Sequence, residues 1–438
     1  MQRISRTPRD NWQHKVEDVG LTFHTLENGQ PYWDESAAYQ FTAAEIDTLE
    51  AAGNELQTMC LAAAQHIIDS KRYAELDIPI EAIPAIESAW NAEPPALYGR
   101  FDISWAGAES GQSPKLLEYN ADTPTSLLEA AVVQWNWLEE VTPALAAASH
   151  LGKPDQFNSI HDKLIAKWKD IAPYLAQPVY FAAVDVPEDQ LTTIYLRDTA
   201  QQAGLETLQM FMHEIGWNDE QQAFMDPNED AMRSIFKLYP WEAMLAEEFG
   251  PHALATYLAP PSVNWIEPIW KLLLSNKGLL PILWELYPNH PLLLPAYFDS
   301  PAADGPQRLA DGTLSASDTG GWQTVGAPAQ APPPPPAGNY GSHGMTSYVR
   351  KPLHSREGAN ITVVRDGATI ASTEGPYHGR QIYQALAPDS VFPNERGDAR
   401  HPVLGLWIID QECAGLGIRE SGGPITDNFS SFLPHYFV

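Results

Sequence analysis

Two short segments constrain this chain more than any others: YGRFDIS at 98–104 and KLLEYN at 115–120. Only residues 105–114 separate them, too few for the helical crossover that a parallel pair requires, so an antiparallel pair is expected. Side chains alternate along a strand. Arg100 and Asp102 therefore share one face, against Phe101 and Ile103 on the other. In the second strand Leu116, Glu118 and Asn120 share a face, against Lys115, Leu117 and Tyr119. If the two polar faces coincide, Arg100, Asp102, Glu118 and Asn120 meet in one patch. Two carboxylates and a carboxamide oxygen are hard ligands suited to Mg²⁺, which takes few protein oxygens and leaves places for phosphate oxygens and water. Arg100 beside them would meet the charge of a transferring phosphoryl group. A surface salt-bridge ladder accounts for the same quartet equally well.

The residues after the second strand bear on that choice. In NADTPTSLLEAAVVQWNWLEE, Ser126 and Glu129 stand in capping-box spacing and open a helical pattern. The positive end of that helix would face Glu118 and Asn120. Upstream, Thr42 and Glu45 form the same signature before a long amphipathic stretch to Ser70, inside which Cys60 packs. From PVYFAAVD through EDQLTTIYLRDTAQQAG to LETLQMFMHEI the pattern is strand, helix, strand, which suggests a small α/β unit near 175–216. Strands resume at SYVRKPL and ANITVVRDG and continue through PVLGLWIIDQECAGLGIRES. Between them, 300–346 is rich in Pro, Ala and Gly and reads as an exposed insertion or lid.

Composition narrows the partners. A net charge of −30 repels phosphate backbones and anionic membranes, so nucleic acid is not expected as a partner. The start MQRISRTPRDNWQ has no apolar core, and no apolar run of about 18 residues occurs, so neither a signal peptide nor a membrane span is expected. Two cysteines are too few for a disulfide framework or a zinc cluster and suit a reducing compartment. A cytoplasmic protein is the simplest reading.

Other polar positions each have two readings. Lys351 and Arg356 bracket a turn leading to Glu357 and Gly358, which could close over polyphosphate or form a basic hairpin. Lys277 precedes an apolar helical stretch, where a lysine is usually solvated. Arg419 lies among glycines, open to a ligand or in a tight turn. No GxxxxGK[ST] or GxGxxG loop, GxSxG elbow or HExxH pair occurs, so covalent catalysis and zinc hydrolysis are weakly supported.

Several blocks in order, YGRFD, KLLEYNADTPTSLLE, SNKGLLPILWELYP, RKPLHSREGANI, QIYQALAP and GLGIRES, resemble the glutathionylspermidine synthase family in its synthetase half, a branch of the ATP-grasp ligases. The resemblance implies an α/β (α+β) ATP-grasp fold with a pre-ATP-grasp-like α/β lobe, divided as 1–140, 141–260 and 261–438. It also implies formation of an amide between a small-molecule acid and an amine through an acyl phosphate, with ATP as co-substrate and Mg²⁺ as cofactor. By the same comparison Arg100 acts on the transferred phosphoryl group, and Asp102, Glu118 and Asn120 hold magnesium. Lys277, Lys351 and Gln384 contact ATP. Thr123, Thr125, Glu242, Arg356 and Arg419 serve the substrates, glutathione or another peptide as the acid and spermidine as the amine. The sequence departs in having Thr at 123 and 125 in place of the more usual serines, a longer loop before KLLEYN, the Pro-rich insertion, and no place for the N-terminal cysteine amidase of bifunctional members. A ligase for a different acid and amine, or a non-catalytic ATP-binding relative, stands as the alternative.

Overall fold

The computed structural model describes residues 1–148, 152–260, 262–299 and 341–438. The expected insertion therefore lies outside the described residues from 300 to 340.

The hairpin forms one edge of a six-stranded antiparallel sheet that draws strands from both halves of the chain. Tyr98–Ser104 pairs on one side with Lys115–Asn120 and on the other with Ala399–Ile409, which continues to Glu412–Ser421 and Ser431–Leu433 and also pairs with the short sixth strand Phe392–Pro393. Arg100 stands opposite Asn120, and Asp102 opposite Glu118, so the two polar faces coincide. The register then slips by one residue between Asp102 and Ile103. That β-bulge corrects the expected facing of the second strand. Leu116 turns into the core with Phe101, Ile103 and Tyr119, while Leu117 joins the polar face as part of a cavity wall.

Behind the sheet lies the helix Ala43–Ser70. Thr42 caps it as the sequence signature predicts: its Oγ1 accepts from Glu45 N at 3.2 Å, and its own N donates to Glu45 Oε2 at 3.0 Å. Ile46, Leu49, Gly53, Leu56, Cys60 and Ala64 form its buried stripe. Gly53 is required by closeness, since a Cβ there would lie 2.7 Å from Cys413 Sγ. Cys60 and Cys413 are both buried free thiols.

The predicted α/β unit is present. Val179–Ala183 and Thr207–Phe211 are parallel neighbours joined by the helix Pro187–Gln202, and Ser234–Leu238 and Asn264–Ile266 extend the sheet to four parallel strands. Val179–Ala183 and Ser234–Leu238 are buried throughout, as a sheet covered on both faces demands. A third sheet, antiparallel, runs in the order Ala296–Phe298, Gln381–Ala385, Tyr348–Pro352, Thr362–Arg365 and Ala368–Ser372. It packs over the polar face of the central sheet. Among the described residues no helix is long and apolar enough to cross a membrane.

Candidate active site

A cavity of about 420 Å³ opens between the central sheet, the five-stranded sheet and the end of the parallel sheet. Arg100, Asp102, Glu118, Asn120, Thr123, Thr125, Lys277, Lys351, Arg356, Gln384 and Arg419 all line it. Of the positions singled out from the sequence, Glu242 is absent from this wall and sits behind it, paired with Arg356.

Arg100 is fixed from three directions. Its Nε donates to Asp102 Oδ1 at 2.7 Å, its Nη1 donates to the Thr125 carbonyl at 2.7 Å, and its guanidinium lies 5.6 Å from the centre of the Trp407 ring. Gly405, opposite Asp102, leaves room for this side chain, because a Cβ there would stand 2.9 Å from Arg100 Cδ.

The bulge at Leu117 also turns two carbonyls outward, and these tie the sheets together: Lys351 Nζ donates to Leu117 O at 3.0 Å, and Gln384 Nε2 donates to Leu116 O at 2.9 Å. Lys351 also donates to Gln384 Oε1 at 2.8 Å, so the two form one buried clasp. Lys277 follows a short helical turn and reaches Glu118 Oε2 at 3.0 Å and the Ser355 carbonyl. The solvated reading of Lys277 is thereby overturned, since it is 7% exposed.

These contacts set the charges. Burial acts to raise Glu118, but Lys277 and Lys351 outweigh it and hold the carboxylate at about 2. Burial pushes the Lys351 ammonium down to about 8, with Glu118 opposing. Glu118 is thus ionised at neutral pH inside a small basic cluster.

Asn120 Nδ2 lies 3.2 Å from Asp102 Oδ2 and 3.2 Å from Glu118 Oε1, so the carboxylates converge on one point. In this arrangement the amide nitrogen faces them, and rotation of the amide would present its oxygen instead. The described residues hold no group of three or more His, Cys, Asp and Glu placed for a metal. The chemistry of the set nevertheless fits Mg²⁺, which binds through one or two carboxylates and completes its shell with phosphate and water.

The loop Ala121–Thr125 carries the two threonines and is held by an ion pair that the sequence reading missed. Lys237 Nζ, fully buried, donates to Asp122 Oδ1 at 2.7 Å, and Trp241 N donates to Asp122 Oδ2 at 2.9 Å. A lysine inside the apolar strand SIFKL was the available signal, since a buried lysine is nearly always paired. Beyond it, Arg356 Nη2 donates to Glu242 Oε1 at 2.6 Å and Nη1 to Thr123 Oγ1 at 2.8 Å. Glu242 Oε2 is buried without a hydrogen-bond partner. Gly358 needs to be glycine twice over: its φ is +71° and a Cβ would lie 2.4 Å from the Thr426 carbonyl. The turn after Lys351 therefore packs on 424–428 rather than standing open.

The expected capping box at Ser126 and Glu129 does not form. Ser126 adopts φ +65°, and the hydroxyl and carboxylate that would have capped the helix both turn to Tyr32. Arg419 completes this corner, with Nη1 3.4 Å from Ser126 Oγ, Nη2 donating to the Asp427 carbonyl and the guanidinium 5.3 Å from the Tyr32 ring centre.

The glutathionylspermidine synthase preATP-grasp family model matches residues 3–320 and 323–438. The chain belongs to the glutathionylspermidine synthase family. A Haemophilus influenzae protein provisionally named an acid–amine ligase is 35% identical over all of both chains. The trypanothione synthetase of Crithidia fasciculata is 26% identical over 85% of this chain, which spans 52% of that longer protein. The bifunctional glutathionylspermidine synthetase/amidase of Escherichia coli is 26% identical over 59% of this chain and 43% of its own length. In three dimensions the chain is similar to a glutathione synthetase-like effector of Globodera pallida, with a TM-score of 0.51 at 10% identity over 99% of this chain and 98% of that one. The fold is thus the ATP-grasp-related α/β architecture expected of the family.

Proposed function

We propose that this chain is an ATP-dependent acid–amine ligase that forms an amide through an acyl phosphate, with glutathione or another peptide as the acid and spermidine or a similar polyamine as the amine. The observation that carries the reading is the convergence of Arg100, Asp102, Glu118, Asn120, Lys277 and Lys351 on one cavity wall, in a member of this ligase family. The proposed functional segments are 1–140, 141–260 and 261–438, and the proposed setting is cytoplasmic.

Asp102, Glu118 and Asn120 would hold Mg²⁺, which when bound neutralises and orients the β- and γ-phosphates. Lys277 and Lys351 would exchange their contacts with Glu118 and Gln384 for phosphate oxygens. Gln384 would stay against the nucleotide. Arg100, already anchored by Asp102, the Thr125 carbonyl and Trp407, would face the equatorial oxygens of the phosphoryl group during transfer. Thr123, Thr125, Arg356 and Arg419 would bind the acid, Arg356 and Arg419 against its carboxylates, and Glu242 would offer its unpartnered oxygen to a substrate N–H. Little covalent chemistry is asked of the protein, which positions the reactants and offsets their charge.

The test is ADP release by the purified protein with Mg·ATP, glutathione and spermidine, each omitted in turn. Release that requires both substrates supports the ligase. ATP binding with no turnover for any of a panel of acids and amines would contradict it.

A further inference from the structure

An amine that is an ammonium at neutral pH must lose a proton before it can attack an acyl phosphate, and the groups placed in the site above are cations, carboxylates engaged with cations, or neutral hydroxyls and carboxamides. One buried chain next to them is built differently. Ser126 lines the cavity beside Thr125, whose carbonyl holds Arg100. Its Oγ lies 3.0 Å from Tyr32 Oη, and Tyr32 Oη donates to Glu129 Oε1 at 2.6 Å. All three side chains are nearly inaccessible, at 3%, 3% and 1% exposure. The backbone bends to make the chain: Ser126 is held at positive φ, and Glu129 opens a π-helical turn, a departure from α geometry that recurs at functional sites.

We propose that Ser126, Tyr32 and Glu129 form a proton relay that accepts a proton from the attacking amine, with Glu129 as the terminal acceptor. This inference rests on the ligase reading above. As the ammonium approaches the acyl phosphate, its proton passes to Ser126 Oγ, the Ser126 proton to Tyr32 Oη, and the Tyr32 proton to Glu129 Oε1. The freed nitrogen lone pair forms the C–N bond, the acyl C–O bond to phosphorus breaks, and phosphate leaves with that electron pair. The second nitrogen proton goes to the departing phosphate. Once product has left, Glu129 returns its proton along the same chain to water in the emptied cavity.

The surroundings support an acceptor of this kind. Burial pushes Glu129 up to about 7, with the Tyr32 hydrogen bond opposing, Glu188 from the neighbouring helix reinforcing and Arg419 opposing. A base works best when its affinity for protons lies near the operating pH. Arg419, on the strand Glu412–Ser421, donates toward Ser126 Oγ and covers the Tyr32 ring, which keeps the chain aligned.

The experiment compares wild type, Tyr32→Phe and Glu129→Gln with Mg·ATP and glutathione, using spermidine and, separately, hydroxylamine, which is already neutral at pH 7. With spermidine the wild-type kcat should rise with pH through about 7, because Glu129 must be ionised to accept. Both variants should lose that limb and about 100-fold in kcat. Hydroxamate formation should survive in both, since that amine needs no proton removed before attack. Tyr32→Phe keeps the ring under Arg419, so it remains informative if Glu129→Gln folds poorly. Variants that keep the wild-type limb with spermidine, or lose hydroxamate formation to the same extent, would overturn the relay while leaving the ligase standing. A wild-type protein forming neither product would overturn the ligase reading and the relay together.

Discussion

Lys277 Nζ lies 3.0 Å from Glu118 Oε2, so a lysine after one short helical turn neutralises a carboxylate near the end of the sheet's edge strand before any nucleotide arrives. With Lys351 on the same side, Glu118 is held ionised far below neutral pH. Glu118→Ala removes the anion that both ammoniums face and one of the two carboxylates offered to Mg²⁺. ATP turnover should fall by about 10³-fold or more while far-UV circular dichroism stays unchanged. An active, folded Glu118→Ala protein would refute the assignment.

Gly405 is expected to matter through Arg100 alone. Gly405→Ala would place a methyl group 2.9 Å from Arg100 Cδ, and that side chain is pinned at both ends by Asp102 and the Thr125 carbonyl. Displacing the guanidinium should lower kcat by about 10–100-fold with a smaller change in KM for ATP. Steady-state kinetics decide it, and an unchanged kcat would show that Arg100 does not need this seat.

The Asp122–Lys237 pair should govern stability more than chemistry. Lys237→Met leaves a fully buried Asp122 with only the Trp241 N–H, a loss of about 3–5 kcal/mol. The thermal midpoint should drop by several degrees. Lys237→Met combined with Asp122→Asn should recover part of that loss, and a double variant no better than the single one would count against the pairing.

Distance along the chain decides how much of the fold and the site was legible in the sequence. The antiparallel hairpin, the shared face of Arg100 and Asp102 and the shared face of Glu118 and Asn120 could be read because alternation and a short connection fix them locally, whereas the register that brings the two pairs together entered only as a condition. The facing of Leu116 could not, because the bulge is stabilised by Lys351 and Gln384, which arrive from far along the chain to take the carbonyls it exposes. The same holds at Ser126 and Glu129. Their spacing is that of a capping box, but Tyr32, 94 and 97 residues away, offers both a buried partner that the helix end cannot match. Sequence spacing reports what a residue can do within one element, and tertiary contacts choose among the options.

Glu129 gives a test by pH that is independent of catalysis. Its value in the folded protein, about 7, stands above the ordinary 4.5, so the folded state holds the proton more tightly than the unfolded chain. Its contribution to stability is therefore present below the ordinary value and is lost as pH rises through about 7. Glu129→Gln, which can still accept from Tyr32, should compare progressively better with wild type as pH is raised across that window. Scanning calorimetry on either side of it measures the difference, and a gap independent of pH would show that Glu129 is not perturbed.

The acyl phosphate is the central claim, and oxygen labelling reaches it most directly. Glutathione carrying ¹⁸O in its carboxylates, incubated with the enzyme, Mg·ATP and spermidine, should yield an amide and inorganic phosphate containing one ¹⁸O taken from the acid. Turnover that released phosphate without that label would contradict the mechanism.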